Sequence, residues 1–360
     1  MEPVAAATEN YKQPPVRPAA FSLQRSLNAL TGARFLAAFY VVLFHFALRP
    51  ATEHHAPAFL TTFLANGDTG VLFFFILSGF ILTYSYVGKI QTPSQLARFW
   101  QARFARLYPV YLLSLLLNWP FRGDMSVGVM TAVLTGTQTW NPQKQYLAQA
   151  WNFPAWTLSV EMFFYLCFPL LLPLCVRCGP VVRRMIVAVL LLMVCLGVQR
   201  LVPLPWVELP QFIAGILLAL EFMTSPAKPS NMRIFLYAAL AIIILCLTHD
   251  RWKPLVAVPY AGLIYELAIG GSLFARRLSV RWMVFLGGAS YSIYLLQFPV
   301  RNWIRAAFAR WNPAHASAGA WISPIVLIIV SSVVYHWYEE PLRRALKNGF
   351  ARLPSLQGFR

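Results

Sequence analysis

An arginine and a histidine inside one apolar stretch, Leu30 to Pro50 (LTGARFLAAFYVVLFHFALRP), are the first residues of this chain whose types and spacing could do chemistry. Arg34 and His45 stand eleven positions apart, which on a helix is roughly 16 Å along the axis, about half a bilayer. Eleven residues also come to about three turns, so both side chains leave the helix from nearly the same face. A charged or titratable group in a spanning helix faces a bundle interior or a water-filled cavity, where imidazole can serve as general base and guanidinium can hold an anion. The structural alternative is a snorkelling anchor for Arg34 and an interfacial histidine satisfied by a carbonyl.

Two further stretches carry candidate groups. RFWQARFARLYPVY clusters Arg98, Arg103 and Arg106 with Tyr108 and Tyr111. Arginine forks grip phosphate bidentately and tyrosine rings stack on a base, so a nucleotide-bearing donor fits here; anchoring beside lipid headgroups is the competing reading. WNFPAWTLSVEMFFYLCFPLL places Glu161 about 8 Å beyond Trp156 along a helix. That depth matches the depth of His45 below Arg49, and predicts that Glu161 meets His45, fixes its tautomer and stabilises its protonated form. Capping of a neighbouring helix, or pairing with a buried arginine, is the alternative for Glu161.

Ser78 and Gly79 in GVLFFFILSGF read as helix-packing residues, as do the glycines and hydroxyls around Ser290 to Gln297. Glu339 and Glu340, with Arg343 and Arg344 nearby, read as a charge cluster at the headgroups. Cys175 and Cys178 form a C-x-x-C without a second pair, so neither metal nor redox chemistry is expected there.

The elements that must position these groups are membrane helices. Of 360 residues 58% are hydrophobic and only 12% charged, with a mean hydropathy of +0.57. One soluble core cannot hide that much apolar surface, so the chain is expected to be an all-α, polytopic membrane protein. The formal charge of +18 is spread between apolar runs rather than gathered in a patch, which argues for a topology signal and against nucleic acid as a partner. Apolar runs near 30–49, 69–88, 104–119, 155–175, 185–199, 206–223, 233–248, 255–275, 282–303 and 320–338 predict ten spans, with 125–139 as a re-entrant or surface element. With both termini cytoplasmic, 21 of the 30 lysines and arginines fall on the inside. Residues 1–26 read as a disordered cytoplasmic tail, 27–345 as one transmembrane domain and 346–360 as a second cytoplasmic tail.

Taken in order, these stretches resemble the acyltransferase-3 family of integral membrane O-acyltransferases. The matching features are Arg34-x10-His45, the G-V-x-F-F-F-x-L-S-G-F run from Gly70 to Phe80, Arg103-x-x-Arg106 before Tyr-Pro, and W-x-L-S-V-E from Trp156 to Glu161. S-Y-S-I-Y-L from Ser290 to Leu295 and E-x-P from Glu339 to Pro341 complete the set. The resemblance implies transfer of an acetyl or other short acyl group from cytoplasmic acetyl-CoA or another acyl-CoA, without a metal. The acceptor it implies is a hydroxyl of a cell-surface or exported glycan, such as lipopolysaccharide or exopolysaccharide, or of a lipid-linked sugar, with the enzyme in the bacterial inner membrane. His45 is then general base or acyl carrier, Glu161 its orienting acid, and Arg34 the donor-holding or oxyanion-stabilising cation. Arg98, Arg103, Arg106 and Tyr108 are then the donor's phosphate and base contacts. Many relatives carry a histidine where this chain has Gln297, so no acid–base role falls to Gln297. No hydrolase-like domain follows the helices here, so the chain is expected either to complete the transfer itself or to pass the acyl group to a polysaccharide-assembly partner. A transporter or flippase for a lipid-linked sugar is the rival class, and the absence of an internal repeat counts against it.

Overall fold

A computed structural model describes residues 20–53, 55–141, 151–197, 204–224, 232–311 and 316–351. Within them the chain is helical, with no strand. The helices are α1 (Ala20–Glu53), α2 (Ala58–Ala65), α3 (Gly70–Tyr86), α4 (Pro93–Leu117), α5 (Val127–Thr135), α6 (Trp156–Arg177), α7 (Pro180–Leu196) and α8 (Leu209–Thr224). There follow α9 (Met232–Thr248), α10 (Ala257–Ile269), α11 (Leu273–Leu278), α12 (Arg281–Gly288), α13 (Ser290–Trp311), α14 (Ala316–Val334) and α15 (Glu340–Ala351). Residues 1–19 and 352–360 of the expected tails lie outside the described residues, while 20–26 form the start of α1.

Among the described residues, five stretches are long and apolar enough to cross a bilayer: Leu27–Leu48, Ala58–Tyr86, Phe153–Arg177, Trp206–Thr224 and Ile322–Lys347. A sixth arises if α12 and α13, bent by 58° at Ala289, count as one broken span. Four of the ten expected spans fall on helices that miss this criterion. α7 and α9 have 17 residues and α10 has 13, against the ~20 of a full crossing. α4 is longer but carries Arg98, Arg103 and Arg106. At 125–139 the chain forms only the nine-residue α5, capped by Ser126 and closed by Gly136 in the left-handed conformation. Nine residues reach roughly 14 Å, half a bilayer at most. The protein is thus a multi-pass, all-α membrane protein.

Burial of apolar surface cannot drive helices together in lipid, so close backbone approach and buried hydrogen bonds must do so. α3 and α8 show the first device: a methyl on Gly79 would strike the carbonyl of Phe212, and one on Gly215 the carbonyl of Ile76. Packing is therefore the role of Gly79, as its sequence context suggests. The second device holds α5, whose Val133 and Leu134 carbonyls accept from the hydroxyls of Tyr111 and Tyr108 on α4.

Candidate active site

Some of the polar groups singled out in the sequence, Arg34, Arg103, Arg106 and Glu161, converge on a cavity of about 270 Å³ enclosed by α1, α3, α4, α6 and α13. Arg34, Ser78, Arg103, Arg106, Glu161 and Tyr165 line it. Local rules explain how α4 delivers its two arginines. Thr92 caps the helix, its side chain accepting from the Gln95 amide while the Gln95 side chain accepts from the Thr92 amide, and Pro93 supplies the first helical φ. Along the helix Arg103 and Arg106 are one turn apart and share the inward face. Two further hydrogen bonds lock that face: Trp100 Nε1 donates to the Tyr165 carbonyl of α6 at 3.2 Å, and the Tyr291 hydroxyl of α13 donates to the Leu107 carbonyl at 2.7 Å.

Each charged group in the cavity has a definite environment. Arg103 donates to the Tyr86 hydroxyl at 3.1 Å and its guanidinium lies 5.3 to 5.9 Å from the rings of Tyr86, Tyr165 and Phe99. Its Nε is buried without a hydrogen-bond partner among the described residues. Glu161 Oε1 accepts from the Tyr165 hydroxyl at 2.6 Å and from Ser78 Oγ at 3.3 Å. Arg34 and Arg106 both lie within electrostatic reach of Glu161 and of Glu339. Ser78, read from sequence as packing, is therefore a ligand of the Glu161 carboxylate.

The eleven-residue spacing on α1 does put Arg34 and His45 against the same neighbour, α13: Arg34 shares the cavity with Ser290, Tyr291 and Tyr294, and His45 meets Gln297. His45 Nδ1 donates to Gln297 Oε1 at 2.8 Å. The Gln297 amide donates in turn to the Tyr294 carbonyl at 2.7 Å, and Gln297 is fully buried. A carbonyl only accepts, so Gln297 turns its oxygen to the imidazole, Nδ1 carries the proton and Nε2 keeps its lone pair. The ring is boxed by Phe44, Phe153 and Phe298 at centroid distances of 4.9, 5.5 and 5.2 Å. Arg301 braces the same turn, donating to the His45 carbonyl at 3.2 Å while lying 4.2 Å over Phe298.

Three expectations are corrected by this geometry. Glu161 does not meet His45: the histidine is level with Phe153, which precedes Glu161 by about 12 Å of helix. Depth counted from Arg49, just past the apolar span Leu27–Leu48, does not fix how α1 and α6 are set against one another. The arginine cluster also divides. Arg98 is exposed, and neither it nor Tyr108 lines the cavity. Each is five positions from Arg103, about 140° around the helix. Tyr108 stacks on Phe104 at 4.3 Å and holds α5. Finally, Glu339 and Glu340 are not one surface cluster. Glu340 pairs with Arg343 and Arg344, whereas Glu339, 2% exposed, accepts from Ser292 Oγ at 2.6 Å. Glu339 closes the π-helical turn Tyr335–Glu339, and Glu340 opens α15.

Sequence reasoning missed Arg301 and gave Gln297 and Glu339 other roles. For Gln297 a signal existed, an amide one turn beyond a run of hydroxyls in an apolar helix, but nothing in the sequence named its partner 252 positions away.

Comparison with known proteins gives this arrangement its context. The family model described as an acyltransferase domain matches residues 27–337. The acyltransferase MdmB of Streptomyces mycarofaciens is 29% identical, over 89% of this chain and 92% of its own length. The O-acetyltransferase OatA of Staphylococcus aureus (strain NCTC 8325 / PS 47) is 22% identical over 93% of this chain, and the chain spans 60% of OatA. YrhL of Bacillus subtilis (strain 168), a candidate peptidoglycan O-acetyltransferase, is 24% identical, and the chain spans 56% of it. No solved structure matches the chain. The matched region runs through Arg34, His45, the two inward arginines of α4, Glu161 and Gln297, and with membrane helices of this kind around them the chain belongs to the acyltransferase-3 family and is an O-acyltransferase.

Proposed function

We propose that the protein moves an acetyl or similarly short acyl group from cytoplasmic acyl-CoA to a hydroxyl of a cell-surface or exported glycan, or of a lipid-linked sugar. It would lie in the bacterial inner membrane with ten spans and both termini cytoplasmic. The observation that carries this reading is the order of groups along the bundle: forked cations at one end of the cavity, and beyond the other end an imidazole with one basic nitrogen. Arg103 and Arg106 receive phosphate oxygens of the donor, and the cavity accommodates the arm that bears the acyl group. Arg34, roughly 16 Å from His45 along α1, holds the donor rather than the reacting carbonyl. Glu161 and Glu339 keep the arginine cluster from excess positive charge.

In the transfer step His45 Nε2 takes the proton of the acceptor hydroxyl as its oxygen bonds to the thioester carbon; the carbon–sulfur bond then breaks and CoA leaves. A short-lived acyl-histidine in place of the first event uses the same nitrogen. Gln297 holds the tautomer either way, the task first assigned to Glu161.

Membranes containing the full chain, given acetyl-CoA labelled in the acetyl group, should deliver label to glycan, and His45→Ala membranes should not. A transporter or flippase would leave acetyl-CoA intact in both. Reporter fusions at Lys89, Arg177 and Arg277 should report cytoplasm and one at Asp124 the opposite side. Inversion after α5 would remove the ten-span topology while leaving the chemistry standing.

A further inference from the structure

Away from the active-site cavity, α7, α8 and α10 bound an apolar groove of about 570 Å³. Val187, Leu191, Leu192, Leu217 and Val258 form much of its wall, and Arg183, Arg184 and Glu221 stand at its head. The two arginines differ in a way that matters. Arg184 donates through Nε and a terminal nitrogen to Glu221 Oε1 at 2.9 and 2.6 Å, so its charge is answered within the protein. Arg183 is only 8% exposed, lines the groove, and its Nε is buried without a hydrogen-bond partner among the described residues. It sits in the first turn of the 17-residue α7, where free backbone amides and the helix dipole add to the positive potential. Below it Met185, Val189 and Leu196 on the outward face of α7 are exposed and apolar, as a lipid-facing surface is, and Leu192 stands at the groove's edge.

A buried guanidinium whose Nε has no hydrogen-bond partner among the described residues, at the head of a hydrocarbon slot between membrane helices, matches one ligand chemistry, a phosphate on an acyl chain. We infer that this groove binds an anionic phospholipid of the surrounding bilayer, its phosphate on Arg183 and one acyl chain along α7 toward Cys195. A lipid-linked sugar acceptor would share that chemistry. The tight α3–α8 seam at Gly79 and Gly215, however, separates the groove from the cavity that holds Arg34. An acceptor bound in the groove would not reach the reacting groups, so the occupant is a phospholipid. This inference is independent of the proposed reaction.

The test uses the full chain purified in detergent and stripped of lipid, then offered dioleoyl phosphatidylglycerol or dioleoyl phosphatidylcholine, with retained lipid counted by native mass spectrometry. Wild type should retain one phosphatidylglycerol about fivefold more readily than phosphatidylcholine. Arg183→Leu should bring that ratio close to one. Leu192→Trp, which fills the slot and leaves the arginine in place, should lower retention of both lipids. If Arg183→Leu does not accumulate, the Leu192→Trp result decides by itself, and wild-type retention there overturns the site. Equal retention of the two lipids by wild type overturns it too. So does preferential binding of a polyprenyl phosphate that phosphatidylglycerol fails to displace.

Discussion

Two levels of α1, about 16 Å apart, treat polarity in different ways. Around Arg34 the protein gathers three arginines with the carboxylates of Glu161 and Glu339, set on α1, α4, α6 and the turn after α14. Around His45 it uses a neutral amide, three aromatic rings and backbone carbonyls, with one guanidinium, that of Arg301, on the His45 carbonyl. A polyanionic donor needs the first environment, because charge-assisted forks are the strong hydrogen bonds. A base must remain unprotonated to act, and the second environment provides that through a neutral partner that fixes one tautomer without adding a negative charge that would favour imidazolium. On this reading one helix carries donor capture and proton transfer, separated by about 16 Å of its length.

The sharpest way to break this comparison is His45→Ala. General-base removal is typically worth 10²–10⁴-fold, so acyl transfer should fall by at least about a hundredfold while the variant accumulates in membranes normally. Near-normal transfer would remove the histidine from the chemistry altogether.

Gln297→Leu tests whether the amide acts through the histidine. Transfer should fall on the order of tenfold, with donor affinity unchanged. Adding Gln297→Leu to His45→Ala should cost almost nothing further, because members of one unit are non-additive. Combined with Glu161→Gln, by contrast, the losses should multiply, since Glu161 bonds Tyr165 and Ser78 and not the histidine. A non-additive Gln297–Glu161 pair would merge the two levels that the geometry keeps apart.

Arg103→Lys and Arg106→Lys keep the charge and lose the fork. The apparent KM for acyl-CoA should rise about tenfold in each with the acceptor's unchanged; Arg98→Lys, on the exposed face, should leave both constants as they are. An effect of Arg98→Lys equal to that of the other two would restore the undivided arginine cluster.

The smallest effect is expected at Tyr108→Phe. It removes one hydrogen bond to α5, worth about 1 kcal/mol of stability, and should lower the melting temperature slightly without altering donor binding. A rise in donor KM would return Tyr108 to the donor site.

Much of the architecture was legible in the residues themselves. Apolar content excluded a soluble core, the brevity of 125–139 foretold α5, and 3.6 residues per turn placed Arg34 and His45 on a shared face. The same periodicity separates Tyr108 from Arg103, since both lie on one helix. What it cannot supply is the rotation of one helix against another. The partners of His45, Glu161 and Glu339 come from helices far away in the chain, and those pairings depend on close approaches such as Gly79 against Phe212 and on the bend between α12 and α13. Depth below the membrane surface was a poor substitute for that rotation: it matched Glu161 to His45 by counting residues from one side, when the packing of α13 had put an amide beside the histidine. Glu339 on Ser292 and Glu340 on Arg343 and Arg344 are likewise divided by what packs against each, which no pattern in the sequence announces.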